Sequence, residues 1–434
     1  MQWKNPGHEF DTIGNDFIKN KKLIIIGDNF DQANFYINKS IIDIVEFLNV
    51  PVKKIRFSAK GTGDGKISKY KLLLSQCKLW LVCKIYKLDK ENAIFITHYH
   101  HKNRDISYKL AEMLRKIIKK PIYDSITFIE HSMSIFAAYA SDKIYARDTC
   151  IIITSKCTLN CKYCLNFTPF ISHGEDISLE TLKSDVDIYF SAVDYVGFFQ
   201  ISGGEPLLYN NLSEFIEWLS RKYGGRIGQI LLATNCTLLP DEATTIALKR
   251  YNVLLLLDNY TLSIPNLLNK REKVIDFLKK NAIDFRDYDA EKTFFKFFPP
   301  NENYRKLSDA ELSARADKCW GLQPYRNLRN GHIYFCNFSS FAVSAGIIQD
   351  NPANYFDLKQ LDRKHKKLLV EFLLGYSESG YDTFCLLCNG IDRANNLERS
   401  PAGEQAKKKF TWHDDMTLKE YEELNQQRES KNIR

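Results

Sequence analysis

The chain has 434 residues, 44% hydrophobic and 26% charged, which suits two or three domains with ordinary cores rather than a disordered chain. Lys and Arg (61) exceed Asp and Glu (53) by a net charge of only +8, and no basic block with interleaved aromatics occurs, so no nucleic-acid partner is expected. The longest apolar runs, such as Val253–Leu257, fall far short of the ~20 residues that cross a bilayer, so no membrane association is expected. Met1–Phe17 is polar and broken by Pro6 and Gly7, not basic-then-apolar like a secretory leader, and a cytoplasmic protein is expected.

The N-terminal stretch reads as a small α/β unit. Lys22–Ile26 is an apolar strand ending in Gly27, followed by a helical stretch over Ala33–Asn49. Leu79–Lys84 and Ala93–Thr97 read as further buried strands, and Ser107–Lys119 as a helix stopped by Pro121. Strands alternating with helices imply a parallel, Rossmann-like sheet. The turn after the first strand, Gly27-Asp28-Asn29-Phe30-Asp31-Gln32, lacks the second glycine with which a backbone approaches a pyrophosphate. His98, His100 and His101 form a trio without a partner at recognisable ligand spacing, so loop or surface histidines are the favoured reading over a metal site.

From Thr149 the rhythm changes. Strands at Cys150–Thr154, Val196–Ser202, Gly228–Thr234 and Val253–Asp258 alternate with helices at Leu179–Ala192, Leu212–Lys222, Asp241–Arg250 and Ile264–Lys280. Strand-like segments near Ile283 and Phe294 complete the series, and repeated βα units with short connections point to a parallel β/α barrel, open or closed. The charged stretch from Lys407 reads as a solvated helix with a frayed end.

Eleven cysteines in a reducing compartment need a role other than disulfides. Cys77, Cys83, Cys150 and Cys236 stand among apolar neighbours as ordinary buried residues. Cys157, Cys161 and Cys164 form C-x3-C-x2-C on the loop leaving the Cys150–Thr154 strand. Soft thiolates suit iron–sulfur clusters or zinc, and structural zinc wants four closed ligands. Three cysteines leave one iron of a cubane open to a small molecule.

With Tyr163 in the aromatic place before the last cysteine, this loop resembles the radical S-adenosylmethionine (SAM) superfamily. The resemblance implies a partial (β/α)6 TIM-like barrel and a 4Fe–4S cluster whose open iron is chelated by SAM. It also implies reductive cleavage to a 5′-deoxyadenosyl radical that takes a substrate hydrogen. Tyr163 is then a cofactor-site residue. Gly203-Gly204-Glu205 resembles the family's GGE motif, which implies a backbone close to the methionine moiety and a carboxylate accepting from its amino group. Thr234-Asn235 resembles a T-N-G stretch near SAM, with Cys236 where the family has glycine. Asp258 is expected at the barrel mouth as a ribose or substrate contact or, equally, a turn residue; no catalytic base is assigned to it or to Arg393.

Further on, Cys319, Gly331, Cys336 and Cys385-Leu386-Leu387-Cys388 resemble the C-terminal SPASM and twitch modules of that superfamily. The glycine would turn a hairpin that brings Cys336 beside Cys319. The resemblance implies one auxiliary 4Fe–4S cluster on these four cysteines, serving electron transfer; a four-cysteine zinc knuckle suits the same residues. The opening Trp3-Lys4-Asn5-Pro6-Gly7-His8-Glu9-Phe10 resembles radical SAM proteins of bacterial surface-polysaccharide gene clusters, implying a small-molecule or glycan-type substrate.

The expected organisation is an N-terminal α/β domain over 1–145, a radical SAM core over 146–305, a twitch-like module over 306–400 and a tail over 401–434. The expected activity is oxidation or other modification of a sugar-like molecule, with electrons from a flavodoxin- or ferredoxin-type donor. Peptide maturation by the same chemistry, a non-catalytic iron–sulfur or zinc protein, and a partner role recruiting a glycosyltransferase are the alternatives.

Overall fold

The computed structural model describes residues 1–20, 22–27, 47, 49, 51–56, 78–98, 104–118, 120–288, 293–319, 326–360, 365–391 and 398–426. Cys77, Asp28–Gln32, most of the 33–49 stretch, His100, His101, Arg393 and the side chain of His98 lie outside the described residues. Two compact units are present, one of Gly7–Arg147 with Val193–Gly197, the other of Met1–Pro6, Asp148–Ala192 and Phe198–Arg434.

The smaller unit holds a four-stranded sheet in the order β2-β1-β3-β4, formed by β1 (Lys22–Gly27), β2 (Val52–Arg56), β3 (Ala93–His98) and β4 (Ile122–Asp124). β1 pairs in parallel with β2 and β3, and β3 with β4. Leu23, Ile24, Ile25 and Ile26 are all buried, as a parallel sheet covered on both faces requires. Helices α1 (Asp11–Lys19), α2 (Arg104–Ile117) and α3 (Met133–Ser141) belong to this unit. The apolar run Leu79–Lys84, expected as a strand, is helical over residues 78–85. Leu79 and Cys83, four apart, are buried while Trp80, Leu81 and Ile85 are exposed, the one-sided pattern of a helix.

The larger unit is built on a sheet in the order β13-β12-β11-β5-β6-β7-β8-β9. Its strands are β5 (Tyr145–Thr154), β6 (Tyr195–Gly203), β7 (Ile227–Thr234), β8 (Leu254–Asp258), β9 (Phe285–Tyr288), β11 (Arg326–Arg329), β12 (His332–Tyr334) and β13 (Tyr355–Asp357). Helices α4 (Leu179–Ala192), α5 (Leu212–Tyr223), α6 (Glu242–Arg250) and α7 (Leu268–Lys280) return the chain between successive strands from β5 to β9. β7, β8 and β9 pair in parallel, and β11 joins β5 in parallel from the other side. The result is the partial, TIM-like barrel of an α/β fold, open because β13 and β9 are its two edges. Side chains at the carboxyl ends of β5 to β8 therefore share one end of the sheet.

β10 (Thr293–Phe295) does not continue this series. It pairs antiparallel with β14 (Arg399–Pro401), so the segment near Phe294 joins the C-terminal stretch instead of the barrel. The Asn330–Gly331 turn joins β11 and β12 as an antiparallel hairpin, with φ of +54° and +75° at the two positions. Both angles are left-handed, the backbone of a tight hairpin turn and one glycine adopts freely. Met1–Pro6, expected with the N-terminal domain, belongs to the larger unit: Trp3 N–H donates to Ser377 O at 2.9 Å, and Ser377 N–H to Met1 O at 3.0 Å.

The stretch over residues 407–426 is only partly solvated, where a solvated helix had been expected. Phe410, Met416, Leu418 and Tyr421 are buried, and they pack with Ala406 against Tyr163 and Phe170. Helix α10 (Leu418–Gln426) is charged on its outer side only, so its composition concealed an apolar face.

Candidate functional site

The cysteine loop leaves the end of β5. Cys161 is buried, and Cys157 and Cys164 are half-buried. Each sulfur has a neutral neighbour at hydrogen-bond distance. Asn235 Nδ2 donates to Cys157 Sγ at 3.7 Å, Gln405 Nε2 donates to Cys161 Sγ at 3.2 Å, and Thr168 Oγ1 lies 3.3 Å from Cys164 Sγ.

Burial pushes the Cys157 thiol up to about 12 and the Cys161 thiol well above its ordinary value. Charge on Cys164 raises both further, so the three sulfurs lie within electrostatic reach of one another. Burial and mutual repulsion favour the neutral thiols, so ionising all three would require a cation beside them.

The two strands beside β5 complete the site. Glu205 is fully buried at the end of β6, and its carboxylate ties that end to β7. Oε1 accepts from Leu207 N–H at 3.1 Å and from Thr234 Oγ1 at 3.0 Å; Oε2 accepts from Asn235 N–H at 2.8 Å. Burial nevertheless raises its pKa to about 7. Gly203 and Gly204 are packed against the cysteine loop. A Cβ on Gly203 would meet Thr154 O at 2.4 Å, and one on Gly204 would meet Lys156 O at 2.2 Å and Cys157 Cβ at 3.0 Å. The room these glycines leave on their Cβ side is taken by the backbone of the cysteine loop.

Thr234 and Asn235 lie at the end of β7 as expected, with the Asn235 amide also donating to Thr158 Oγ1 at 3.1 Å. Cys236 stands at φ +58°, the left-handed backbone that explains a glycine in the resembling stretch. Tyr163 is directed elsewhere than expected. Its hydroxyl donates to Glu422 Oε1 at 2.8 Å and its ring packs edge-on to Tyr421, so it anchors the C-terminal helix. Asp258, at the end of β8, accepts from the Tyr260 hydroxyl at 2.8 Å, and its charge reaches Cys161.

Sequence reasoning missed Gln405, Thr168, Tyr260 and Lys409. Lys409 donates to Thr168 O at 2.7 Å, and desolvation lowers its pKa while the charges of Cys157 and Cys164 oppose that. Thr168, four residues past Cys164, carried a spacing signal; Gln405 and Lys409 carried none, since they arrive from more than 200 residues away.

The second set of cysteines also converges. Cys319 caps the end of α8 (Asp309–Lys318), Cys336 precedes α9 (Asn337–Ser344), and Cys385 and Cys388 lie at a short helical turn opened by Asp382. All four line one cavity, together with Arg315, Phe338 and Phe384. Backbone N–H groups of Ile391 and Gly390 donate to Cys319 Sγ and Cys388 Sγ, each at 3.3 Å. Among the described residues, no three His, Cys, Asp or Glu side chains are grouped as ligands of a single metal ion. In a cubane each cysteine holds its own iron, so thiols around a cavity, capped by N–H donors, fit such a cluster.

Residues 151–305 match the radical SAM superfamily. The chain carries a radical SAM domain. The cofactors of that superfamily are a 4Fe–4S cluster and SAM, and the thiol sets described above fit iron–sulfur binding. Among curated proteins, GTP 3′,8-cyclase of Pelotomaculum thermopropionicum is 34% identical over 108 residues, 24% of this chain and 32% of that protein. GTP 3′,8-cyclase 1 of Mycobacterium tuberculosis (strain H37Rv) is 26% identical over 193 residues, 40% of this chain and 52% of that one. The chain thus spans about a third to a half of the curated relatives it matches. Among solved structures, BtrN in complex with AdoMet and 2-DOIA aligns with a TM-score of 0.33 at 16% identity, covering 57% of this chain and 94% of that one. The anSMEcpe enzyme with bound AdoMet and a peptide aligns at 0.36 and 17%, covering 64% and 96%. No helix among the described residues is long and apolar enough to cross a membrane.

Proposed function

We propose that this chain is a radical SAM enzyme that abstracts hydrogen from a small-molecule substrate of the sugar or glycan type. The observation that carries the reading is the end of the sheet where Cys157, on one loop with Cys161 and Cys164, meets the Glu205–Thr234–Asn235 network. With a 4Fe–4S cluster on these cysteines and SAM bound, the superfamily's chemistry supplies a 5′-deoxyadenosyl radical. The chain's own part is to hold and orient. Asn235 and Gln405 direct N–H donors at two of the sulfurs, and Glu205 locks the β6 and β7 ends that carry the site. Four further cysteines around the second cavity suit an auxiliary 4Fe–4S cluster, which would accept an electron in a net two-electron oxidation of a carbinol.

The sugar-type substrate rests on the Trp3–Phe10 resemblance. A GTP-like nucleotide is the second reading, favoured by the name of the curated relatives. The test is anaerobic reconstitution with SAM and a reductant, followed by candidate substrates deuterated at a carbinol carbon. Deuterium in 5′-deoxyadenosine from a sugar but not from GTP supports the first reading, and the reverse supports the second. Deuterium transfer only from a peptide would replace both.

A further inference from the structure

The segment from Gly403 to Phe410 lies along the cysteine loop as a strap. Lys162 N–H donates to Glu404 O at 2.6 Å, Ala406 N–H to Asn160 O at 2.7 Å and Phe410 N–H to Pro169 O at 2.7 Å. Asn160 Nδ2 adds bonds to Ala406 O at 3.1 Å and Lys408 O at 3.0 Å. Cys161 and Gln405 are paired across this antiparallel contact.

Within the strap the amide of Gln405 is fixed by its partners. Its Oε1 accepts from Asn160 N–H at 2.8 Å, which assigns the other end as the nitrogen. That nitrogen has two hydrogens and two acceptors, Gly403 O at 2.7 Å and Cys161 Sγ at 3.2 Å. One N–H is therefore held on the buried sulfur of the loop by a group that cannot turn away without losing both other bonds.

We infer that Gln405 is a positioning residue that sets the reduction potential of the cluster on Cys157, Cys161 and Cys164 through its hydrogen bond to Cys161. This rests on the proposal that those cysteines hold a cluster. Donors to cluster sulfurs stabilise the more negative, reduced state and raise the potential. Loss of this N–H lowers it and makes the cluster harder to reduce.

The test is an EPR-monitored redox titration of the full-length, anaerobically reconstituted protein, following the signal that changes when SAM is added. Gln405→Glu preserves the shape and the acceptor for Asn160 but removes the donor; Gln405→Leu removes both. The expected result is a midpoint below wild type for both variants, lowest for Gln405→Glu because it sets a negative charge beside the sulfur. A wild-type midpoint in both would overturn the inference, whether or not the variants lose iron. A SAM-responsive signal that survives Cys161→Ala would overturn instead the reading on which it rests.

Discussion

The Tyr163 hydroxyl donates to Glu422 at 2.8 Å across 259 residues of sequence, and Lys296 donates to the same carboxylate oxygen at 2.5 Å. The aromatic residue just before the last cysteine of the loop is thereby held by the last described helix. Tyr421, beside Glu422, is buried against Tyr163, Phe170 and Phe410. Tyr163→Phe keeps the ring and loses one hydrogen bond, and should cost about 1 kcal/mol with iron content retained. Tyr421→Ala empties the contact and should cost about 3–5 kcal/mol, with loss of iron from the first site. Chemical denaturation and iron analysis check both.

Glu205 links stability to pH. Its carboxyl titrates at about 7 in the folded protein, above the ordinary 4.5, because burial disfavours its charge. Between those values the unfolded chain releases a proton that the folded chain keeps. The contribution of Glu205 to apo-protein stability is full below about 4.5 and is lost as pH rises through about 7. Relative to Glu205→Gln, wild type should lose stability across that window and change little above it. The variant itself should cost about 1–3 kcal/mol, since an amide nitrogen cannot accept the N–H and O–H donors aimed at it. Urea denaturation at several pH values measures both effects.

Gly204 has no room for a side chain. Gly204→Ala sets a Cβ 2.2 Å from Lys156 O, which is backbone and cannot swing aside. Displacement of the cysteine loop should cost about 1–3 kcal/mol and lower iron retention. Gly224→Ala, where nothing lies within 4 Å, should leave iron retention unchanged. Iron analysis of the two variants compares them directly.

The second cysteine set is separable from the first. Cys385→Ser should reduce the iron of the reconstituted protein from about eight to about four per chain. It should leave SAM-responsive EPR of the first site in place. Zinc in place of iron at this cavity, found by metal analysis, would remove the auxiliary-cluster proposal.

The barrel was legible because its strands are short apolar runs, such as Val253–Leu257, separated by one-sided helices such as Leu212–Tyr223. The cysteine loop was legible because its three sulfurs lie within eight residues. Periodicity misled at Leu79–Lys84, where a short apolar run fits strand and helix alike and only burial of Leu79 and Cys83 decides. It also misled after Lys407, where charge hid the apolar face of Phe410, Met416, Leu418 and Tyr421. Gln405 and Lys409 were invisible because their role is set by a contact across some 240 residues, and Tyr163 because its motif position does not reveal which way the ring turns.

The central claim is that Cys157, Cys161 and Cys164 generate the radical, and SAM cleavage tests it most directly. Wild type, Cys161→Ala and Cys83→Ala are reconstituted anaerobically, given SAM and a low-potential reductant, and assayed for 5′-deoxyadenosine. Formation by wild type and Cys83→Ala but not by Cys161→Ala is the expected result. Undiminished 5′-deoxyadenosine from Cys161→Ala, or none from iron-loaded wild type with any substrate class, would contradict it.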